Sequence, residues 1–96
     1  MNPADLERTA KELVAEGKGI LAADETPETL TKRFVHLKIS STPDSRREYR
    51  EIFFTTPDVA EFISGVIMQD ETIRQKSSAG RPLADVLIQN GIIPGI

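Results

Sequence analysis

The sequence contains no cysteine and no long apolar run, and these two absences exclude several kinds of protein. Without cysteine, the 96 residues offer no disulfide framework, no thiolate metal site and no cysteine nucleophile. No apolar run approaches the ~20 residues that a membrane-spanning helix requires. The opening residues also lack the basic start and apolar centre of a signal peptide. We therefore expect a cytoplasmic protein with no membrane partner.

An excess of basic residues, low-complexity segments and internal repeats are also absent. The chain has 12 Lys and Arg against 15 Asp and Glu, which gives a formal net charge of -3. This balance argues against a nucleic-acid partner. The hydrophobic fraction of 39% and the charged fraction of 28% are ordinary for a globular protein. A domain of this size buries only about 60–65% of its unfolded surface, so we expect its stability to be marginal.

Short aliphatic runs separated by helical patterns indicate an α/β protein. The runs at 19–23 and 63–68 have the pattern of buried parallel strands, and 92–96 begins a third. A helix capped by Asn2 precedes the first strand, two proline-initiated helices follow it, and another helix covers 82–89. The predicted order is an N-terminal helix and then β-α-α-β-α-β. It fits the opening quarter to third of a (β/α)₈ TIM barrel, which needs roughly 250 residues.

An open doubly wound sheet would show the same alternation of strands and helices. Its dinucleotide-binding version is disfavoured, because Gly17 and Gly19 precede the first strand and no G-x-G-x-x-G turn leads from a strand into a helix. Three parallel strands alone would leave backbone groups unpaired at the sheet edges. We therefore expect residues 1–96 to be an incomplete barrel.

Acidic residues follow each of the first two predicted strands. Asp24 comes directly after the first, and Asp70 and Glu71 follow the second. Catalytic residues of (β/α)₈ barrels lie at the carboxyl ends of strands, which makes Asp24 a candidate; a helix cap or a solvated loop residue is the alternative. Asp70 and Glu71 could form an acid/base pair. Adjacent residues in a turn rarely point into one site, so we expect them to be structural.

The third helical pattern predicts a charged face that binds no ligand. Its apolar stripe consists of Tyr49, Ile52 and Phe53. The charged residues around that stripe are expected to face water and to pair with one another, namely Arg46, Arg47, Glu48, Arg50 and Glu51.

The most specific pattern of the chain is GKGILAADET, from Gly17 to Thr26. It closely resembles the GKGILAADES segment of class I fructose-bisphosphate aldolases, and shorter matches follow in the family's order. These are Lys32-Arg33-Phe34, Arg46-Arg47, Tyr49-Arg50-Glu51, Ser64-Gly65-Val66-Ile67, Glu71-Thr72, Gln75-Lys76, Gly80-Arg81-Pro82, Gly91 and Gly95-Ile96. The resemblance covers essentially the whole chain.

This resemblance implies a glycolytic lyase with a TIM-barrel fold. Such enzymes reversibly cleave fructose 1,6-bisphosphate to dihydroxyacetone phosphate and glyceraldehyde 3-phosphate. A lysine amine forms a Schiff base with the ketose carbonyl, and the resulting iminium is the electron sink, so the family needs no metal and no cofactor. The full-length enzymes are usually homotetramers. Residues 1–96 would be the N-terminal fragment of a single aldolase-type barrel domain.

The resemblance also assigns site residues. Asp24 corresponds to the family's carboxylate beside the Schiff-base lysine, where it assists proton transfers. Thr26, Thr29, Lys32 and Arg33 correspond to positions that help to hold a substrate phosphate. A helix that begins at Thr26 presents free N–H groups and a dipole to an anion, and Arg33 supplies a planar fork of donors. Alternatively, Thr26 and Thr29 only cap the helix and Arg33 pairs with a neighbouring acid.

The sequence departs from the family in three respects. One is Gln69-Asp70, which replaces the family's Phe-His or Phe-Asp ahead of Glu71-Thr72. Pro27 and Glu28 replace a Thr-Gly or Ser-Gly pair, and Glu28 adds negative charge near the phosphate site. The family's Schiff-base lysine lies beyond Ile96, and the charged or helix-surface contexts of four lysines here do not suit that role: Lys18, Lys32, Lys38 and Lys76. We therefore expect the chain alone to be inactive. The alternative is a non-catalytic remnant that binds a sugar phosphate or a protein partner.

Overall fold

A computed structural model describes residues 2–96 of the chain. These residues form an N-terminal helix, three parallel strands and the helices that connect the strands. The elements, in chain order, are α1 Pro3–Leu13, β1 Gly19–Ala23, α2 Pro27–His36, α3 Pro43–Phe54, α4 Val59–Phe62, β2 Ile63–Met68, α5 Asp70–Ile73, α6 Leu83–Gln89 and β3 Ile93–Gly95. The predicted α/β alternation is confirmed.

The sheet has the strand order β1-β2-β3, and both neighbouring pairs are parallel. Parallel neighbours need crossover connections, which the intervening helices provide. In the register between β1 and β2, Ala23 pairs with Met68. The carboxyl ends of these two strands therefore lie side by side, and the acidic residues after each strand leave the sheet at the same edge.

The two faces of the sheet differ in what covers them. Side chains alternate along a strand, and those of one face join α3 and α6 in a buried cluster made of Ala23, Phe54, Val66, Met68, Leu83, Leu87 and Ile92. On the other face, Ile20 and Ile67 remain 48% and 36% exposed. Leu13 of α1 lies close over Gly65, where an added Cβ would come within 2.6 Å of Leu13 Cδ2. The core therefore lies between the sheet and the helices α3 and α6.

The three longest helices begin as their sequence patterns predict. Asn2, Thr26 and Thr42 are the cap residues, and each is followed by a proline at the first helical position. The side-chain oxygen of each cap accepts a hydrogen bond from a backbone N–H three residues later, at 2.9, 3.2 and 3.0 Å respectively. Proline fits there because its missing N–H would have had no partner within the helix.

The third helix, α3, buries side chains other than those predicted. Arg50 was expected in water but is 2% exposed, whereas Ile52 and Phe53 of the predicted stripe are 65% and 40% exposed. The buried stripe instead joins Arg50 to Phe54, one turn later. The reason lies outside the helix: the end of β1 offers a carboxylate and a carbonyl oxygen to the guanidinium of Arg50.

Two further features concern helix limits. The first helix ends at Leu13, and Gly17 lies beyond it in a turn with a φ of 77°. Asp70 begins the short helix α5, although only a turn was expected there. Within residues 2–96, no helix is both long enough and apolar enough to cross a membrane.

Candidate active site

Asp24 lies directly after β1, at the carboxyl end of the sheet. The strand holds the residue before it, since Ala23 is buried and paired with Met68. The side chain of Asp24 is exposed, and within residues 2–96 no hydrogen bond or ion pair involves its carboxylate. This carboxylate is therefore open to a group from outside the described residues.

Glu25, the next residue, has a carboxylate enclosed by two guanidinium groups. Arg33 Nη1 donates to Glu25 Oε2, and Arg50 Nη1 donates to Glu25 Oε1. Arg50 Nη2 also donates to the backbone oxygen of Glu25, at 2.5 Å. Burial raises the pKa of Glu25, but the hydrogen bonds and positive charge of Arg50, with a further hydrogen bond from Arg33, hold it below the ordinary value. Glu25 is therefore a fixed anion.

The predicted phosphate residues lie on and before the first turns of α2. Thr26 Oγ1 accepts from the N–H of Thr29 and donates to Thr29 Oγ1, at 3.2 and 3.1 Å. In this structure the two hydroxyls bind each other and cap the helix, as in the alternative to phosphate binding. Arg33 is half exposed and pairs with Glu25, as the second alternative held. Lys32 is exposed.

The structure thus brings most of the predicted site residues into one strand-to-helix connection. Asp24 ends the strand side, Thr26 and Thr29 begin the helix, and Arg33 reaches back to Glu25. Thr29 and Arg33 are four residues apart, so they share a face of α2.

The carboxyl end of β2 is arranged differently. Asp70 pairs with Arg74 at 3.1 Å, four residues along the chain. Glu71 accepts two hydrogen bonds from Arg46, from Nε at 2.8 Å and from Nη2 at 2.9 Å. The hydrogen bonds from Arg46 lower the pKa of Glu71, although partial burial opposes them. Both carboxylates are held by arginines, which fits the structural role expected for them.

The sequence analysis did not predict that two arginines of α3 bind the glutamates that follow the strands. Arg46 and Arg50, one turn apart, bind Glu71 and Glu25 at the ends of adjacent strands. The spacing of four residues and the glutamate after each strand were visible signals. The charged surroundings of both arginines pointed to a solvated face instead, and that expectation was wrong for both, since their side chains are 12% and 3% exposed.

The space around the candidate site is open. A recess of 70 Å³ lies beside Glu25 and is lined by Leu21, Ala22, Ala23, Glu25, Tyr49 and Phe53. It is far smaller than the ~300–1,000 Å³ of ordinary ligand pockets. Across residues 2–96, no cluster of three His, Asp or Glu side chains is placed to hold a metal ion. The residues that line this recess come from β1, Glu25 and α3, so it does not include Asp24 or α2.

Comparison with known proteins extends these observations. The family model for class I fructose-bisphosphate aldolase matches residues 5–96. Fructose-bisphosphate aldolase 2 of Plasmodium berghei is 52% identical over 92 residues, which are 96% of this chain and 25% of that protein. The probable class 1 aldolase of Xanthomonas campestris is 49% identical over the whole chain, which covers 29% of it. Cytosolic aldolase 7 of Arabidopsis thaliana is 48% identical over 96% of this chain and 26% of that protein.

The fold is similar as well. The crystal structure of Plasmodium falciparum aldolase, determined with TRAP and a small-molecule inhibitor, superposes with a TM-score of 0.92 at 46% identity. This match covers 97% of the chain and 27% of that structure. The chain therefore spans about a quarter of the length of the proteins it matches. With the family pattern, the sequence identity and the fold in agreement, this chain belongs to the class I fructose-bisphosphate aldolase family.

Proposed function

We propose that this chain supplies the first-strand wall of the active site of a glycolytic fructose-bisphosphate aldolase. The reaction is the reversible cleavage of fructose 1,6-bisphosphate to dihydroxyacetone phosphate and glyceraldehyde 3-phosphate. The observation that carries the proposal is Asp24, an exposed carboxylate without a partner in the described structure, at the carboxyl end of β1. It lies inside the segment by which the chain most resembles the family.

Asp24 is the proton-transfer group of this proposal. Formation and hydrolysis of a Schiff base need protons to be moved at the amine and at the carbinol oxygen, and a carboxylate free of ion pairs can accept and return them. Glu25 is unsuited to this work, because Arg50 and Arg33 hold its pKa below the ordinary value. The two adjacent carboxylates therefore have separate roles, with Asp24 reactive and Glu25 structural.

The Schiff-base amine comes from a lysine outside these 96 residues. Such an amine needs a buried or apolar setting that favours its neutral form. The five lysines of the chain are all exposed: Lys11, Lys18, Lys32, Lys38 and Lys76. We accordingly expect the isolated chain to be inactive.

The first turn of α2 and the basic residues behind it are the proposed phosphate contacts. Thr26 and Thr29 carry hydroxyls beside free N–H groups at a helix start, where an anion is favoured. Lys32 and Arg33 add positive charge, and Arg33 can offer a forked pair of donors to phosphate oxygens. Because Arg33 already binds Glu25, a phosphate there must share its guanidinium or displace the carboxylate.

Assembly and location complete the proposal. We expect the full-length protein to act as a homotetramer in the cytoplasm. The location is supported by the relative from Arabidopsis thaliana, which is named as cytosolic.

A full-length chimera tests the function. Residues 1–96 replace the matching segment of the Xanthomonas campestris aldolase, which aligns over the whole chain. The chimera should cleave fructose 1,6-bisphosphate, and borohydride with dihydroxyacetone phosphate should trap a covalent adduct. The isolated chain should give no adduct. A folded, tetrameric chimera without cleavage activity would contradict the proposed function. An adduct on the isolated chain would contradict the proposal that the Schiff-base lysine lies outside these 96 residues.

A further inference from the structure

Arg50 is a buried charged side chain that binds two different groups of a single residue. Its guanidinium contacts both the carboxylate and the backbone oxygen of Glu25, and its Nε is buried without a partner in the described structure. An isolated buried charge would cost several kcal/mol, so this guanidinium has a strong preference for the one place where both acceptors lie. The planar arrangement of its N–H donors also restricts the direction from which it can bind the two oxygens. The main chain at Glu25 is thereby held to α3.

That contact lies one residue from Asp24. On its N-terminal side, Asp24 follows Ala23, which the β1–β2 ladder holds opposite Met68. On its C-terminal side, it precedes Glu25, which Arg50 holds. Within residues 2–96 the carboxylate of Asp24 has no partner. The main chain on either side therefore sets where the side chain leaves the strand end and the direction of its Cα–Cβ bond. Of the two side chains that hold Glu25, Arg50 is the buried one and the one that also binds the main chain, and it can be altered without disrupting the sheet.

We propose that Arg50 is a positioning residue for Asp24. By binding the carboxylate and the carbonyl of Glu25, it fixes the connection between β1 and α2 so that the Asp24 carboxylate meets the reacting amine in one orientation. This inference rests on the proposed function. Reaction rates are sensitive to such placement, since a displacement of about 1 Å can lower a rate by about a hundredfold.

Arg33 cannot take over this role. It binds the other oxygen of the same carboxylate, but its side chain is half exposed on α2, and its contact is to the carboxylate only. Arg46 provides the matched control. It lies one turn before Arg50 on α3 and binds Glu71 with a comparable fork, but at the end of β2 instead of β1.

The test is a double-mutant cycle in the chimera described above. Arg50→Lys keeps the charge but removes the fork that binds two groups at once, and it should lower kcat about ten- to a hundredfold, with a smaller change in KM. Arg46→Lys should leave kcat within about twofold. In an Asp24→Asn background, Arg50→Lys should lower kcat no further, because a residue that acts through Asp24 has no effect once the carboxylate is gone.

Glu25→Gln provides an independent variant should Arg50→Lys fail to fold. It weakens the same contact from the other side and should likewise lower kcat only when Asp24 is present. Unchanged kcat in either folded variant, or an equal loss with and without Asp24, overturns the positioning role and leaves the proposed function intact. An Asp24→Asn chimera with full activity contradicts the proposed role of Asp24 itself, so the two failures are distinguishable.

Discussion

The carboxyl ends of β1 and β2 carry similar residues but leave different groups available for chemistry. Each strand is followed by an aspartate and then a glutamate, and in both cases an arginine of α3 binds the glutamate. The aspartates differ. Asp70 begins a helix, which brings Arg74 within reach four residues later. Asp24 lies before the cap residue of α2 and therefore outside the helix, and no cation within residues 2–96 pairs with it.

This comparison indicates how a strand end becomes a candidate catalytic position. A carboxylate at the end of a buried strand is common, and caps and ion pairs usually engage it. The position is open to a substrate or a reacting amine only when neighbouring residues meet those structural needs. At β1, Glu25 takes the arginines and Asp24 lies outside the helix, so Asp24 remains open within the described residues. At β2, Asp70 lies on the helix and meets Arg74 one turn later.

The largest predicted effect contrasts the two aspartates. In the chimera, Asp24→Asn should lower kcat by about 10²–10⁴, because the loss of a proton-transfer group has that magnitude. Asp70→Asn should change kcat by less than about twofold, as expected for an exposed ion pair. Steady-state assays of purified, tetrameric variants would measure both. Equal losses for the two variants would remove the proposed distinction between the strand ends.

A second prediction concerns how much each arginine contact stabilises the fold. Arg50→Met leaves the carboxylate of Glu25 partly buried without its main partner, and it should lower the free energy of unfolding by about 3 kcal/mol. Arg46→Met, at a more exposed pair, should lower it by about 1–2 kcal/mol. Arg74→Met removes a fully exposed pair and should have the smallest effect of the three. Urea midpoints of the corresponding chimera variants should follow this order, and a reversed order would refute the burial argument.

The smallest predicted effect is a dependence of stability on acid. The pKa values of Glu25 and Glu71 both lie below their ordinary value of 4.5, so their pairs contribute fully above that pH. The contribution is lost as the pH falls through the folded-state pKa values, because the unfolded chain binds protons more readily. Urea midpoints compared at neutral pH and near pH 3 should fall less in Glu71→Gln than in the unchanged chain. A larger fall in that variant would contradict the lowered pKa of Glu71.

Much of this fold could be predicted from local signals. Aliphatic runs predicted β1 and β2, and the cap and proline at Asn2, Thr26 and Thr42 predicted the helix starts, because both depend on neighbouring residues only. The burial of Arg50 could not be predicted in this way. It depends on Glu25, which is 25 residues away in sequence, and the helical pattern of α3 alone placed Arg50 in water.

The candidate site was partly predictable for the same reason. The family pattern predicts a site within one short segment of sequence, made of Asp24, Thr26, Thr29, Lys32 and Arg33. It did not indicate that Arg33 would already be bound to Glu25, or that the hydroxyls of Thr26 and Thr29 would bind each other. These contacts depend on how α2 meets the end of β1, which only three-dimensional coordinates describe.

The most direct measurement is a crystal structure of the chimera with dihydroxyacetone phosphate trapped by borohydride. The account predicts that the Asp24 carboxylate lies within hydrogen-bond distance of the reduced lysine nitrogen, while Glu25 remains on Arg50. A structure with Asp24 turned into solvent and another carboxylate beside that nitrogen would contradict it.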